Sequence, residues 1–311
     1  MKIAVIGTGA VGGYYGALLQ RAGNELHFLL RSDYEHVREH GLLVESPNGD
    51  FRLENVHAWR RAEEMPECDL VLVALKTTAN RFLPELLAPA GEKGIVLTLQ
   101  NGLGCEEDVA AVVGPDRVLG GLCFLCSHKV GPGHIRHLDY GRVTIGEYRA
   151  DGRPAGITPR LREVAELFET AGVPVHPTED LPLARWKKLI WNIPFNGLSV
   201  VLDRRTDEIL ADPESRARVR RLMEEVAAAS AACARPIEPA FIDRMIADTE
   251  RMTPYAPSMK LDFDRGRPLE LEHLYLRPLR AAEAAGVAMP ETRRLFEELC
   301  RIAPPGSLPS S

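Results

Sequence analysis

The chain has 311 residues, with 38 lysines and arginines against 44 aspartates and glutamates, for a formal net charge of −6. That length makes two domains the default, each large enough for its own core. The acidic balance, without basic blocks, argues against a nucleic-acid partner or an anionic membrane surface. Six cysteines, at 68, 105, 123, 126, 233 and 300, are too sparse for a disulfide scaffold and fit free thiols in a reducing compartment.

In chain order, the run Lys2-Ile3-Ala4-Val5-Ile6 breaks into Gly7-Thr8-Gly9-Ala10-Val11-Gly12, and an uncharged helical stretch, Tyr14 to Gln20, follows at once. This is the order strand, phosphate-binding turn, helix. Gly7 permits the tight turn, Gly9 lets a pyrophosphate approach the backbone, and Gly12 brings helix close to strand. Amides at the helix start then face the anion. Residues 3 to 20 carry no charge, but five glycines lie among them, so a membrane span is rejected. The first strand begins directly after Met1, which leaves no room for a charged leader and cleavage site; a cytoplasmic location is expected.

A second strand, Glu25 to Leu30, ends at the position that reads the ribose in such folds, and Arg31-Ser32 stands there. An acid would accept bonds from a free 2′-hydroxyl, whereas a guanidinium suits a 2′-phosphate, so the cofactor expected is NADP(H) rather than NAD.

Glu35 to Gly41 then reads as a short helix, and Leu42 to Glu45 with Phe51 to Val56 as a hairpin about Pro47-Asn48-Gly49. Asp69 to Leu75 is a nearly continuous apolar run, the mark of a strand buried on both faces in a parallel sheet. Gly94 to Leu99 repeats it and ends in Gln100-Asn101-Gly102-Leu103-Gly104, a loop at the carboxyl end of a strand, where open α/β sheets bind ligands. Val118 to Leu125 and Val143 to Ile145 read as further strands, Leu161 to Thr170 as a helix and Val173 to His176 as a last strand.

The fold class expected is α/β, a Rossmann-type doubly wound sheet followed by an all-α domain. Residues 1–178 form the NADP-binding domain, because Pro174, Pro177 and Pro182 punctuate the junction and strand-like alternation stops near Glu179. Residues 179–302 form the helical substrate domain, and 303–311 read as a disordered tail. Cys123, Cys126, His134 and His137 faintly imitate a zinc site. Residues three apart on a strand point to opposite faces, however, so no metal is expected.

The helical half opens with Trp186-Lys187-Lys188-Leu189-Ile190-Trp191-Asn192-Ile193-Pro194-Phe195-Asn196. Lys188, Asn192 and Asn196 stand at i, i+4 and i+8, one polar stripe on an apolar helix. Spacing alone leaves open whether this is a site or a solvated, domain-facing seam. Pro194 is expected to kink the helix and free the Ile190 carbonyl. Glu270 follows Gly266-Arg267-Pro268, a helix start, and is placed in a first turn whose dipole favours the carboxylate. Ser258 fits either a ligand hydroxyl or a plain helix cap.

On these residues the chain resembles the ketopantoate reductases (2-dehydropantoate 2-reductases) and their close paralogues, over nearly its full length. The resemblance is carried by the Gly7-to-Gly12 turn, Leu75-Lys76, Gln100-Asn101-Gly102-Leu103-Gly104, Trp186-Lys187-Lys188-Leu189 with Asn192 and Asn196, Pro257-Ser258-Met259 and Leu269-Glu270. It implies reduction of a 2-oxo acid by hydride from NADPH, in a cleft between the Rossmann and helical domains. It also implies roles: Lys188 as the catalytic lysine and Glu270 as its acidic partner. Asn192, Asn196 and Ser258 become substrate-binding residues, Asn101 a residue beside the nicotinamide, and Lys76 and Arg31 residues near the cofactor.

The chain departs from the family after Glu270. An Asn-Gly pair usual there is replaced within Glu272-His273-Leu274-Tyr275-Leu276-Arg277-Pro278, where bulkier Tyr275 and Leu276 are expected to border the substrate pocket and Pro278 to bend the helix. Tyr255 stands where asparagine is often found. Ketopantoate itself is therefore in question, and a related 2-oxo acid is an alternative. So are another β-hydroxyacid dehydrogenase-like oxidoreductase, a non-catalytic NADP-binding sensor, and a metal-dependent hydrolase built on the cysteine and histidine cluster. Whether an apolar stripe on a late helix faces a core or a twin subunit is undecided, which leaves a homodimer open.

Overall fold

Ten strands form one sheet in the computed structural model, which describes residues 1–254 and 256–308. The strands are β1 (Lys2–Ile6), β2 (Glu25–Leu29), β3 (Leu42–Glu45), β4 (Phe51–Leu53), β5 (His57–Trp59), β6 (Leu70–Val73), β7 (Ile95–Thr98), β8 (Val118–Gly131), β9 (His134–Glu147) and β10 (Val175–Thr178). Six of them run parallel in the order β5-β2-β1-β6-β7-β8. The order reverses between β1 and β6, and at such a switch point the carboxyl ends of neighbouring strands open a ligand crevice. The apolar runs explain the pairing: every residue of Ile3–Ile6 and Leu70–Val73 is fully buried, with core on both faces of the sheet.

Beyond β8 the sheet changes character. β9 returns antiparallel to β8 and carries β3 and β10, both parallel, on its other side. The expected strands Val118–Leu125 and Val143–Ile145 are thus fragments of one hairpin of two 14-residue strands. Register shifts at Phe124/Leu125 and Cys126/Ser127, and left-handed Tyr140 and Gly141, interrupt the alternation and hid its length. The helices of this unit are α1 (Ala10–Arg21), α2 (Tyr34–His40), α3 (Leu83–Leu86), α4 (Cys105–Val113) and α5 (Pro159–Thr170).

Among the described residues seven more α-helices follow: α6 (Leu181–Val201), α7 (Thr206–Ala211), α8 (Pro213–Ala232), α9 (Pro239–Arg251), α10 (Ser258–Asp264), α11 (Arg277–Ala284) and α12 (Pro290–Ile302). They enclose a core of their own that includes Trp186, Ile193, Phe195, Leu222, Tyr275 and Leu295. Among the described residues no helix is long and apolar enough to cross a membrane.

The chain divides into Met1–Gln100 with Cys105–Leu181, and Asn101–Gly104 with Pro182–Ser311. The boundary therefore falls three residues past the expected 178, and a piece of the strand-end loop belongs with the helical unit. Part of the expected tail is ordered: Ser307 is buried, and its hydroxyl accepts from the Leu269 amide at 2.9 Å and donates to the Pro304 carbonyl at 2.6 Å. Residues 309–311 lie outside the described residues, as does Tyr255.

Candidate active site

Sterics alone assign the glycines of the first turn. At Gly7, where φ is +98°, a Cβ would lie 2.5 Å from the Leu75 amide nitrogen, so only glycine lets this turn meet the loop after β6. A Cβ on Gly12 would fall 2.4 Å from the Gly7 carbonyl oxygen and 3.0 Å from Val5, which is close helix-on-strand packing. Gly9 has nothing within 4 Å of that position. Its backbone faces open space at the start of α1, which has neither a side-chain cap nor an acid in its first turn. Thr8, buried, donates its hydroxyl to the Leu29 carbonyl at 3.0 Å and ties the turn to β2. Thr8, Ala10 and Val11 thus lie beside a backbone that is uncrowded at Gly9, an arrangement that suits a pyrophosphate.

Arg31 is exposed just past β2 and, among the described residues, makes no side-chain bond or ion pair. The acids near it are engaged. Asp33 is 4% exposed, accepts from the Gly133 amide at 3.0 Å and pairs with Lys129. Burial pushes its carboxyl pKa up, but Lys129 and the Gly133 amide outweigh burial and hold it below the usual carboxylate value. Glu35 pairs with Arg60 and Arg38.

Lys76 sits in extended backbone after β6 and leads into a short 3₁₀ turn, Thr77–Phe82. A residue without an assigned role, Gln100, braces that loop. Its Nε2 donates to the Leu75 carbonyl at 3.0 Å and to Asn80 Oδ1 at 2.7 Å, while Asn80 donates to Asp108 at 2.7 Å. A polar residue ending an apolar strand is the sequence signal for this brace; its partners are too distant in sequence to be read.

In the helical unit, Lys188, Asn192 and Asn196 all lie on α6, which continues for 21 residues across Pro194 as one helix. Asn192 is 5% exposed, and its Nδ2 is buried without a hydrogen-bond partner among the described residues. Asn196, 3% exposed, uses Oδ1 to accept from the Met259 amide at 3.2 Å. It therefore satisfies one of the open amides of α10. Ser258 is not a cap: Pro257 precedes the helix and Ser258 is its first residue.

Glu270, 5% exposed, stands just before a helix that begins at Leu271, rather than within its first turn. That helix opens with a five-residue π turn, Glu272–Leu276, and continues into α11. The wide turn is how the chain accommodates Pro278, whose ring would clash with the Leu274 carbonyl in a regular α-helix and whose nitrogen cannot donate to it. Where a bend was expected, the helix is widened. Tyr275 is fully buried in the helical core, and its hydroxyl donates to the Ile193 carbonyl at 2.9 Å, beside Pro194; it is a structural departure and not a pocket wall.

Asn101–Gly104 is seated on the same segment. Leu103 N donates to the His273 carbonyl at 2.9 Å, and Arg277 Nη1 donates to the Gly104 carbonyl at 2.7 Å. Gly102, at φ +103°, lies so close that a Cβ would be 2.5 Å from the His273 oxygen. The altered stretch after Glu270 therefore fixes the loop that carries Asn101.

The cysteine and histidine cluster has other work. Both ring nitrogens of His137 are engaged, with Ser46 Oγ at 2.9 Å and the Tyr140 carbonyl at 3.0 Å, and burial pushes the Cys126 thiol up to about 12. Among the described residues no group of three His, Cys, Asp or Glu is placed to hold a metal.

The family model described as ketopantoate reductase PanE/ApbA matches residues 3–150, and its C-terminal companion matches 180–302. A protein named 2-dehydropantoate 2-reductase from Nostoc sp. is 52% identical over 96% of this chain and 94% of its own length. A crystal structure of 2-dehydropantoate 2-reductase from Geobacter metallireducens is similar with a TM-score of 0.92 at 46% identity, covering 97% of this chain and 99% of that one. Another, from Methylococcus capsulatus, gives 0.86 at 34% identity, over 97% and 96%.

Proposed function

The chain belongs to the ketopantoate reductase family, and from that membership we propose that it reduces 2-dehydropantoate, or a closely related 2-oxo acid, to the 2-hydroxy acid with NADPH. Bound NADPH supplies the hydride that goes to the carbonyl carbon. Lys188 meets the negative charge that develops on the carbonyl oxygen, and its Nζ then gives up the proton that completes the hydroxyl. Glu270 orients that ammonium and accepts from a substrate hydroxyl. Ser258 and the Nδ2 of Asn196 hold the substrate, and Asn101 borders the nicotinamide. Gly7, Thr8, Gly9, Ala10, Val11 and Gly12 receive the pyrophosphate, with Arg31 and Lys76 on its flanks.

One observation carries this reading: among the described residues Asn192 Nδ2 is a buried donor with no partner, one turn along α6 from Lys188. Leaving such a donor unpaired costs about 1–3 kcal/mol, and a substrate oxygen accepting from it offsets that cost. The reading further assigns the step to pantothenate synthesis, ahead of coenzyme A, in the cytoplasm. All six cysteines are free thiols, which suits that reducing compartment.

The test follows NADPH absorbance against a panel of 2-oxo acids, ketopantoate first. Lys188→Ala is expected to lose about 10²–10⁴ of turnover while still binding NADPH. Retention of most turnover rules Lys188 out as the acid, and a panel without any reduced member overturns the reading.

A further inference from the structure

We propose that Lys129, about a hundred residues from the β2 tip in sequence, sets cofactor specificity: its ammonium neutralises Asp33, the first acid after that tip in the chain, so that the tip accepts a 2′-phosphate in place of ribose hydroxyls. The inference rests on the NADPH reading above and deepens it.

Asp33 lies two residues past Arg31 and immediately before α2, at the position where an aspartate ordinarily accepts from amides of the first turn. Here the carboxylate makes no such bond. It is turned instead toward Lys129 and the Gly133 amide, with Ser32 Oγ donating to it at 3.1 Å. The β8–β9 hairpin is shaped to reach it. Gly133, at φ +59°, packs where a Cβ would lie 2.9 Å from the Gly41 carbonyl and 3.0 Å from Val37, so the turn seats against the end of α2. Leu43 N donates to the Gly133 carbonyl at 2.8 Å and fixes the hairpin from the other side. Lys129, four residues back on β8, is only 30% exposed.

Without that ammonium, a carboxylate stands within a few residues of the place where a 2′-phosphate must bind. Two negative groups closer than a Debye length repel each other, and a carboxylate no longer balanced by the ammonium is available to accept the 2′-hydroxyl of NADH instead. Lys129 removes both effects.

The experiment measures dissociation constants of NADPH and NADH by calorimetric titration for the wild type, Lys129→Met, and Lys129→Met with Asp33→Asn. Lys129→Met is expected to weaken NADPH about tenfold and leave NADH unchanged or tighter. The double variant is expected to recover the wild-type ratio, because no charge remains to be neutralised. Equal weakening of both cofactors, an unchanged ratio, or a double variant that stays impaired overturns the proposal. Lys129→Gln keeps a donor for the carboxylate without the charge; should Lys129→Met fail to fold, the same shift is expected of it, and an unshifted ratio is decisive against. A wild type that binds NADH better than NADPH defeats the cofactor reading itself, whatever Lys129 does.

Discussion

Arg31 presents a guanidinium that is unpaired among the described residues just past β2, and the acids that follow it in sequence, Asp33 and Glu35, are already engaged. Hydrogen bonds to charged groups are worth about 1.5–3 kcal/mol, so Arg31→Ala is expected to raise the Michaelis constant for NADPH roughly ten- to a hundredfold. The constant for NADH should change little, and equal effects on both contradict the assignment. That Arg31 follows β2 and that Lys188, Asn192 and Asn196 share α6 was legible because each placement is defined by local spacing. Tyr275 was not, because its partner is the Ile193 carbonyl on another helix. Tyr275→Phe removes that one buried bond and is expected to cost about 1–3 kcal/mol in chemical denaturation, with the acceptor left unsatisfied. The family resemblance makes Asn196 a ligand for substrate, yet its carbonyl oxygen holds the Met259 amide. A stripe tells which residues share a face, not which of their atoms are already bonded.

At the level of elements, the nucleotide turn separates folding from binding within six residues. Gly9→Ala adds a methyl to open space and is expected to leave the denaturation midpoint nearly unchanged while weakening NADPH in a titration. Gly7→Ala forces a left-handed residue against Leu75 and is expected to destabilise the protein by about 1–3 kcal/mol or more before any cofactor is added. Equal loss of stability in both variants would mean that Gly9, like Gly7, serves the fold. The parallel strands were legible because burial on both faces makes them continuous apolar runs. The β8–β9 hairpin was not, since its bulges and half-exposed stretches erase the period. Nor was the π turn, because Pro278 announces a disturbance without saying whether the chain bends or widens.

For the molecule as a whole, a ligand that binds only the folded state raises its stability, by about 2.7 kcal/mol at a hundred times the dissociation constant. Thermal unfolding followed with NADPH and NADH at equal concentration is therefore expected to give the higher midpoint with NADPH. The division into a sheet unit and a helical unit was legible as a change in texture near Glu179. The assignment of Asn101–Gly104 was not, because those four residues lie about eighty positions ahead of the other residues of that unit and the chain visits it twice. Leu103 packs on the helical core, and its amide and the Gly104 carbonyl are anchored on His273 and Arg277. A gene cut at codon 182 therefore yields a fragment missing a plug supplied from upstream, short by ~2 kcal/mol of packing and anchorage. Such a truncation should behave as a loosened, dye-binding species rather than as an autonomous module, and a synthetic peptide spanning the missing loop should tighten it.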